Sequence, residues 1–583
     1  MDMGAEDHSR NGAANRLDTA IDLLDPPDAE AVRAWLSPAR NGGGVHPGAL
    51  TAILEPVGRD LRRPSPDDPA AVRTVGVIGG GTAGYLMALA LRVKRPWLDV
   101  CLVESKDIPI IGVGEASVTE MLWFLHCYLG IDPVEFYQEV RPTWKLGIKF
   151  DWGPDPSGFT APFDWASHPV GMLGALADTG SVDGFSIGSL LMMADKAPVL
   201  NLGGEPVSLM KYLPCAYHLE NVRFVRYLTA VAERRGVRHV DATVAEVVLG
   251  GDGWVDHLRT TDSRDLRYDL YIDCTGFRSR LLGQALGVPF ESYADSLFTD
   301  SAVTGNRDHQ GHLKPYTTAT TMNAGWCWTI PVPENDHHGY VYDSSEISDQ
   351  QAAEELRTRF PGISDPVYVR FKSGRRSQVW RGNVMAVGNS YGFVEPLEST
   401  GLAMATIAIR TFVSVLPASW DEPLARDAVN ASLNGQWDAL RWFLAVHYRF
   451  NTRLDTPFWK RARAATDVSG LQPLLDVFAT GAPLARRQGF VRSMLMQATP
   501  PFYGLAGVDN ILLGQAVPTE LVSTAEPLER WRTRRDAAEA LLRHAMPHAD
   551  ALQAFADDPG LITELFQDED SWLGPTRARL LET

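Results

Sequence analysis

Apolar and polar positions first form a regular pattern just after residue 70. Residues 74–84, TVGVIGGGTAG, place an apolar stretch before a cluster of glycines, and apolar residues then recur at helical spacing from Tyr85 to Lys94. A second strand-like stretch follows at Asp99–Glu104. A strand, a glycine turn, a helix and a second strand predict a βαβ unit, and hence an α/β fold with a parallel sheet.

The rest of the chain divides into a strand-rich and a helix-rich part. Strand-like segments recur at Arg238–Val248, Asp269–Cys274 and Asn383–Val387. From about residue 403 onward helical periodicity dominates, and the residues after 525 have the charged, amphipathic pattern of outer helices. We therefore expect a sheet-containing module followed by a mainly helical region.

Residues 144–150, WKLGIKF, alternate strictly between apolar and other residues. Alternation of this kind predicts one half-buried strand. Its apolar face would carry Trp144, Leu146, Ile148 and Phe150. Lys145 and Lys149 would lie on the opposite face. A solvent-exposed face is where most strand lysines are found, and Lys149 keeps that interpretation.

Composition and charge exclude several classes of function. The 583 residues are 45% hydrophobic, which is enough for a large core and more than one ordinary domain needs. A formal net charge of -18 argues against nucleic acid as a partner. Five scattered cysteines without CxxC spacing argue against a metal site and fit a reducing compartment. With neither a signal-peptide pattern nor an apolar run of ~20 residues, we expect a cytoplasmic protein that does not bind membranes.

The glycine turn has the spacing of a dinucleotide site. Gly79, Gly81 and Gly84 form GxGxxG between a strand and a helix, where the backbone can approach a pyrophosphate at the helix N-terminus. Glu104 ends the next strand, at the place where a carboxylate binds ribose hydroxyls. A glycine turn without a ligand is the alternative, and this context makes it the weaker interpretation.

Two further strand ends indicate FAD in preference to NAD. The segment 269–276 ends in Thr275-Gly276, similar to the strand-then-turn element of flavoproteins with two dinucleotide-binding domains. Residues 383–389 end in Gly388-Asn389, where such flavoproteins carry Gly-Asp near the ribityl chain. A second GxGxxG in this context is not seen, so a separate nicotinamide site is not expected.

Six motifs in one order resemble those of flavin-dependent tryptophan halogenases. They are GGGTAG (79–84), IGVGEAS (111–117), WKLGIKF (144–150), WCWTIP (326–331), FVEPLESTGL (393–402) and DTPFW (455–459). The resemblance extends from about residue 72 to 460. It implies an FAD-binding, Rossmann-like α/β fold of the two-dinucleotide-binding-domain type, with a mainly helical substrate-binding region.

The resemblance implies a role for each motif. Lys145 matches the lysine that captures hypochlorous acid and presents electrophilic chlorine to the indole, and Glu398 matches the acid that stabilises or deprotonates the cationic ring. The chloride site would be Ser399, Thr400 and Gly401. An ordinary helix N-cap is the alternative there, and both can hold because they use the same donors. Glu395 is expected to have only a structural, capping or solvated, role.

The same resemblance makes Trp326 and Trp328 a barrier between flavin and substrate. Two core aromatics on one strand face are the alternative, and the two interpretations are compatible. The cofactor contacts expected in this way are Gly79, Gly81, Thr82, Ala83, Gly84, Glu104, Ser105, Glu115, Val244, Gly388, Asn389 and Leu402. We expect FAD supplied as FADH2, chloride and O2 as cofactors, and a separate flavin reductase as partner.

The expected substrate is set by a departure from the family pattern. Family members that act on free tryptophan clamp its amino and carboxylate groups with a segment rich in Tyr, Glu and Phe. The corresponding segment here, residues 489–496 and 500–507, lacks the paired tyrosines and the acidic run, and an unpaired ammonium would be costly to bury. We therefore expect a tryptophan within a peptide of the lanthipeptide kind. Candidate indole contacts are Phe163, Trp165 and His168.

Domain boundaries follow from these assignments. We expect an N-terminal extension, 1–70, that is partly disordered or docks elsewhere, with helical candidates at 28–36 and 48–61. The FAD-binding module would cover 71–430, with a substrate-contacting insert at about 151–215, and the helical substrate-binding region 431–583. The oligomeric state stays open, with a homodimer as one outcome.

Other functions predict different features. A halogenase of free tryptophan needs the clamp. A flavin-dependent aromatic monooxygenase needs neither Lys145 nor the tryptophan pair, and a phenol or pyrrole halogenase with a carrier-bound substrate fits the Glu398 motif less well. A flavin-binding scaffold without activity predicts decayed catalytic positions, whereas both Lys145 and Glu398 are present.

Overall fold

The computed structural model describes most of the chain beyond residue 70. The described residues are 71–108, 114–164, 169–416, 423–497, 503–521, 527–567 and 571–573. The extension 1–70 with its two predicted helices, the first three residues of IGVGEAS, and Trp165 and His168 lie outside them.

The predicted βαβ unit is the centre of a six-stranded sheet. The first strand pairs in parallel with Asp99–Glu104 on one side and with Leu270–Asp273 on the other. In spatial order the strands are Arg238–Asp241, Asp99–Glu104, Thr74–Ile78, Leu270–Asp273, Val384–Ala386 and Trp380–Arg381, of which only the last is antiparallel. The first strand is buried on both faces, with Val75 and Val77 on one face and Ile78 on the other, and this is typical of parallel sheets.

A seven-stranded sheet carries the tryptophan motif. Its strands, in spatial order, are Val367–Arg370, Ser301–Arg307, Asp336–Tyr342, Gly325–Pro331, Thr317–Met322, Gly147–Asp151 and Phe159–Pro162. The described residues also form four three-stranded sheets: Gly114–Ala116, Ala216–Glu220 and Thr143–Lys145; Val244–Leu249, Val255–Thr260 and Asp265–Leu266; Phe290–Ser292, Gly374–Arg376 and Gly392–Phe393; and Ala545–Pro547, Lys196–Leu202 and Glu205–Ser208.

Helices surround these sheets and dominate the C-terminal third, as predicted. Those of the first part are Thr82–Lys94, Glu120–Leu122 continuing into wider turns at Trp123–Tyr128, Pro133–Val140, Pro169–Thr179, Ile187–Met193, Asn221–Arg234, Arg280–Ala285 and Asp349–Arg359. Those of the second part are Gly401–Val415, Pro423–Phe450, Pro457–Ala465, Gln472–Ala479, Gly489–Met496, Gly504–Gly514, Leu528–Leu542, His548–Asp557 and Gly560–Gln567. Within the described ranges, no helix combines the length and apolar content that a membrane span requires.

The prediction of one continuous strand at WKLGIKF is wrong. Thr143–Lys145 pairs with Ala216–Glu220 in a small sheet, whereas Gly147–Asp151 belongs to the seven-stranded sheet. Leu146 makes the transition, because its N–H donates to Pro315 O at 2.7 Å and its carbonyl accepts from Phe163 N at 2.8 Å. Lys145 is consequently buried at the junction of two sheets, and only Lys149 keeps partial exposure on a strand face.

Candidate active site

The glycine turn leaves an open surface at the start of the helix Thr82–Lys94. A Cβ on Gly79 would lie 2.3 Å from Cys274 O, and one on Gly84 would lie 1.9 Å from Gly79 O, so the turn closes tightly on itself. Gly81, by contrast, has open space where its Cβ would be. The helix has neither a side-chain cap nor an acidic residue in its first turn. Free N–H groups and an approachable backbone fit a pyrophosphate.

Glu104 lies directly beside this turn, as predicted from its position at the strand end. Its Oε1 accepts hydrogen bonds from Tyr85 OH at 2.7 Å and lies 2.7 Å from His239 Nε2. Its Oε2 lies where a Cβ on Gly80 would be, at 1.3 Å. Two neighbours therefore fix the carboxylate against the glycine loop.

The other predicted cofactor residues come from several elements. Ser105 follows Glu104, and its Oγ is 2.7 Å from Thr243 Oγ1, next to Val244. Gly388 has a φ of 66°, and a Cβ there would lie 3.2 Å from the Cβ of Ala83. Asn389 is exposed beside it, and Leu402 is buried in the next helix, Gly401–Val415, which packs on the helix that begins at Thr82.

Lys145 is completely buried, and its amine is held at two points. Nζ donates to Ser117 O at 3.0 Å and to Ser399 Oγ at 2.7 Å. Burial lowers the pKa of the Lys145 ammonium from 10.5 to about 7, although the nearby carboxylate of Glu398 acts in the opposite direction. An amine with this pKa is substantially neutral, and therefore nucleophilic, near neutral pH.

Ser399, Thr400 and Gly401 lead from Lys145 into the helix Gly401–Val415. Ser399 has a left-handed φ of 57°, which turns the chain sharply before the helix begins. Thr400 is the N-cap, but its hydroxyl caps no backbone N–H, and within the described part of the chain its buried Oγ1 has no hydrogen-bond partner. An unpaired buried donor at a helix N-terminus fits a small anion, so the interpretation as an ordinary N-cap is wrong here.

Glu398 lies on the same turn and has a partner that the sequence did not reveal. Its Oε1 is 2.7 Å from His447 Nε2, and both side chains are 1% exposed. Tyr503 OH donates to the backbone carbonyl of Glu398. His447 is contributed by the long helix Pro423–Phe450, so the contact brings together distant parts of the chain.

Glu395 is buried as well, so the expectation that it is solvated or capping is wrong. Its Oε2 accepts hydrogen bonds from Thr299 Oγ1 and Tyr448 OH, both at 2.6 Å, and from Trp326 Nε1 at 3.3 Å. Burial raises the pKa of this carboxyl group. Glu395 therefore ties the tryptophan motif to the loop that carries Glu398.

The two tryptophans lie on one face of their strand, as the alternation predicts. Their ring centroids are 6.1 Å apart, and both side chains are buried. Trp328 lies against Gly339 of the neighbouring strand, where a Cβ would be 1.9 Å from the indole ring. The ring is therefore fixed by close contact with backbone.

Two other predicted residues lie near Lys145. The ring of Phe163 is 5.4 Å from Lys145 Nζ, within cation–π range, which makes Phe163 part of the wall around the amine. Glu115 is in the strand that leads to Ser117, and burial raises its pKa to about 7. Trp165 and His168 are outside the described residues.

The segment predicted to replace the amino-acid clamp has an exposed apolar face. In the helix Gly489–Met496, Phe490 is 82% exposed, and Val491 and Met494 are also exposed. Arg492 of this helix is tied back to Ala485 O at 3.0 Å. The helix ends beside Gly504, next to Tyr503, whose hydroxyl bonds the backbone of Glu398.

Comparison with known proteins decides the family. The tryptophan halogenase family model matches residues 74–525. The chain belongs to the tryptophan halogenases. It is 34% identical over 440 residues to the 7-chloro-L-tryptophan 6-halogenase KtzR of Kutzneria sp. (strain 744), an alignment that covers 70% of this chain and 85% of KtzR.

Solved structures agree with this assignment. The crystal structure of MibH, a lanthipeptide tryptophan 5-halogenase, is 62% identical, with a TM-score of 0.86, covering 88% of this chain and all of MibH. Tar14, a tryptophan C-6 flavin-dependent halogenase from taromycin biosynthesis, is 31% identical with a TM-score of 0.75, covering 83% of this chain and all of Tar14. Membership of this family makes the chain a flavin-dependent enzyme and confirms the predicted fold class.

Proposed function

We propose that this halogenase chlorinates C5 of a tryptophan indole within a lanthipeptide-type peptide. The buried Lys145, held beside Glu398 and Ser399, is the observation that carries the chemistry. Bound FADH2 would react with O2 and chloride to supply hypochlorous acid. Every later step uses groups of this chain.

Lys145 is the proposed acceptor of the oxidant. Its neutral amine attacks the chlorine of hypochlorous acid, which forms an N–Cl bond and releases water after proton transfer. The indole carbon then takes the chlorine, and the amine is regenerated. Burial favours the neutral amine, and the hydrogen bonds to Ser117 O and Ser399 Oγ hold it in one position.

Glu398 is the proposed partner of the ring. Chlorination leaves a positive charge and one extra proton on the indole, and a carboxylate nearby stabilises the charge and accepts the proton. The contacts of Glu398 with His447 and Tyr503 fix its position on the loop. Thr400 and the first N–H groups of the following helix are the proposed chloride site, and Trp326 and Trp328 the barrier that keeps the substrate from the flavin.

The cofactor residues proposed from the sequence keep this role. The open backbone at Gly81, the uncapped helix start at Thr82 and the carboxylate of Glu104 suit the pyrophosphate and ribose of FAD. A separate flavin reductase would deliver FADH2. A homodimer stays a prediction.

The peptide substrate is supported by the exposed helix Gly489–Met496. Isolated apolar side chains on a surface are common, but here three cluster on one short helix whose last residue, Met496, lies beside Gly504, the residue after Tyr503. A free amino acid would not extend to this surface, whereas a peptide with apolar residues beside its tryptophan would. The 62% identity to MibH supports both the peptide class and position C5.

A reductase-coupled assay tests this proposal. Wild-type protein receives FAD, chloride and either free tryptophan or an apolar tryptophan-containing lanthipeptide, and products are identified by mass spectrometry and by NMR of the indole. We expect efficient monochlorination of the peptide at C5. Preferred turnover of free tryptophan would overturn the peptide assignment, another ring position would overturn C5, and a hydroxylated product would favour a monooxygenase.

A pair of matched substitutions tests the exposed helix. Phe490→Ser is expected to raise KM for the peptide by about 10-fold, because losing apolar contact with one aromatic side chain costs about 1.5 kcal/mol. Leu424 lies on another helix and is also 82% exposed, so Leu424→Ser is the control and should leave KM unchanged. Equal effects of the two substitutions would refute the docking role.

A further inference from the structure

The contact between His447 and Glu398 contains a proton whose position has chemical consequences. His447 Nδ1 lies 3.0 Å from the carbonyl oxygen of Phe443, one turn earlier in the same helix. A carbonyl oxygen only accepts hydrogen bonds, so Nδ1 must carry a hydrogen. In the neutral ring Nε2 is then a bare acceptor, and it faces a carboxylate oxygen at 2.7 Å.

Two bare acceptors cannot form this bond, so the pair must hold a shared proton. The proton lies either on Glu398, beside a neutral imidazole, or on His447, beside a carboxylate. Both arrangements have a net charge of zero. With both side chains 1% exposed, water cannot replace the missing donor.

The surroundings favour a pair of zero net charge. The rings of Phe150, Trp152 and Phe443 enclose the imidazole at centroid distances of 5.2 to 6.0 Å. The titratable groups that face the pair or its neighbour Lys145 are Lys145 itself, Glu395, Tyr503 and His218. The charge of Lys145 depends on that of Glu398, since their interaction favours the ammonium form.

We propose that His447 is a positioning residue that shares one proton with Glu398 and thereby sets the charge that Glu398 presents to Lys145 and to the indole. This inference rests on the proposed function of Glu398 and Lys145. A proton on the imidazole compensates the carboxylate, so Lys145 can remain a neutral amine beside it. When Glu398 accepts the proton from the indole ring, the added positive charge can be shared between the two nitrogens of the His447 imidazole.

His447→Gln tests the proposal, because glutamine can donate a hydrogen bond to Glu398 but cannot carry the proton. We expect kcat for chlorination to fall by about 10-fold to 100-fold, with KM changed by less than about 2-fold. An uncompensated carboxylate favours the ammonium form of Lys145, so the acidic limb of the rate profile should move up by about one pH unit. Gln515→Leu is the control, since Gln515 bonds Val446 O, one residue away, and its pH profile should match the wild type.

A His447→Gln protein with an unmoved pH profile would overturn the proposal, even if its activity were lower. A direct measurement covers the case in which this variant fails to fold. In wild-type holoenzyme labelled with ¹⁵N-histidine, Nδ1 of His447 should carry a hydrogen, as its contact with Phe443 O requires, with the signal assigned through Glu398→Gln. A neutral ring protonated at Nε2 instead would refute the shared proton. If the wild type chlorinates no tryptophan substrate, the proposed function fails, and the NMR result still decides where the proton lies.

Discussion

Lys145 Nζ donates a 2.7 Å hydrogen bond to Ser399 Oγ, which joins the junction of two sheets to the turn that starts a helix. This bond holds the Lys145 amine beside one short segment of the chain, which carries both the carboxylate of Glu398 and the N-terminus of the helix Gly401–Val415. A 1 Å displacement of either partner would separate groups that the proposed reaction needs together.

Lys145→Met should abolish chlorination while leaving flavin binding intact. Methionine has a similar length and fills the buried space, but it cannot form an N–Cl bond. We expect a loss of at least about 100-fold in kcat, measured by mass spectrometry of the product, with an unchanged flavin absorbance spectrum. Lys149→Met is the control in the same motif, and it should retain activity because Lys149 is partly exposed on a strand face. Comparable losses in both variants would argue against a special role of Lys145.

The lowered pKa of Lys145 also predicts how stability varies with pH. The folded protein releases this proton near pH 7 and the unfolded chain near 10.5, so between these values the unfolded chain holds one more proton. The free energy of unfolding should therefore gain a rising contribution across that window, absent at its lower end and complete above 10.5. Urea unfolding of the wild type and of Lys145→Met between pH 7 and 10.5 gives the free energy of unfolding of each protein as a function of pH. The contribution of Lys145 is the difference between the two slopes. Equal slopes would show that the pKa of Lys145 is not lowered in the folded protein.

Thr400→Val should weaken chloride use without weakening the fold. Its Oγ1 is buried and has no hydrogen-bond partner within the described residues, so valine removes an unpaired hydroxyl. We expect the chloride concentration at half-maximal rate to rise by about 10-fold, because a hydrogen bond to a charged group contributes about 1.5 kcal/mol. Thr406→Val on the same helix, whose hydroxyl already bonds Ala403 O, should leave that concentration unchanged. An unaffected chloride response in Thr400→Val would remove Thr400 from the site.

Gly339→Ala tests whether the barrier depends on the position of Trp328. The added methyl group would lie 1.9 Å from the indole ring, so the ring must move. We expect a loss of about 1–3 kcal/mol in the free energy of unfolding, together with more oxidant released per chlorinated product. Gly435→Ala on an exposed helical position with open space should instead stabilise by about 0.5–1 kcal/mol and leave coupling unchanged. Unaltered coupling in Gly339→Ala would count against the barrier.

The sequence predicted well wherever one local pattern determines the structure. The strand Asp99–Glu104 has the predicted boundaries, and Glu104 lies beside the glycine turn as its position at the strand end requires. The helix Gly401–Val415 begins within two residues of position 403, from which helical periodicity was predicted to dominate. These features depend on periodicity and on glycine geometry, which neighbouring residues report directly.

The failures have a common cause, since each depends on a partner far along the chain. Alternation in WKLGIKF gave no sign that Leu146 changes sheets, because the period of a strand is the same whichever strand it pairs with. The pairing of His447 with Glu398 spans 49 positions and has no local signal. Burial of Glu395 could not be predicted locally, because the three donors to its carboxylate come from separate parts of the chain. They are Thr299, Trp326 and Tyr448.

The contact of Trp328 with Gly339 means that the tryptophan motif is incomplete when read along one strand. The indole occupies the volume that any side chain at position 339 would need, so the identity of one residue restricts the other. A relative with both tryptophans but a larger residue opposite the second would have to place its indole elsewhere. Residues 328 and 339 therefore form a single structural unit, and enzyme engineers who graft the motif onto another scaffold must transfer the glycine with it.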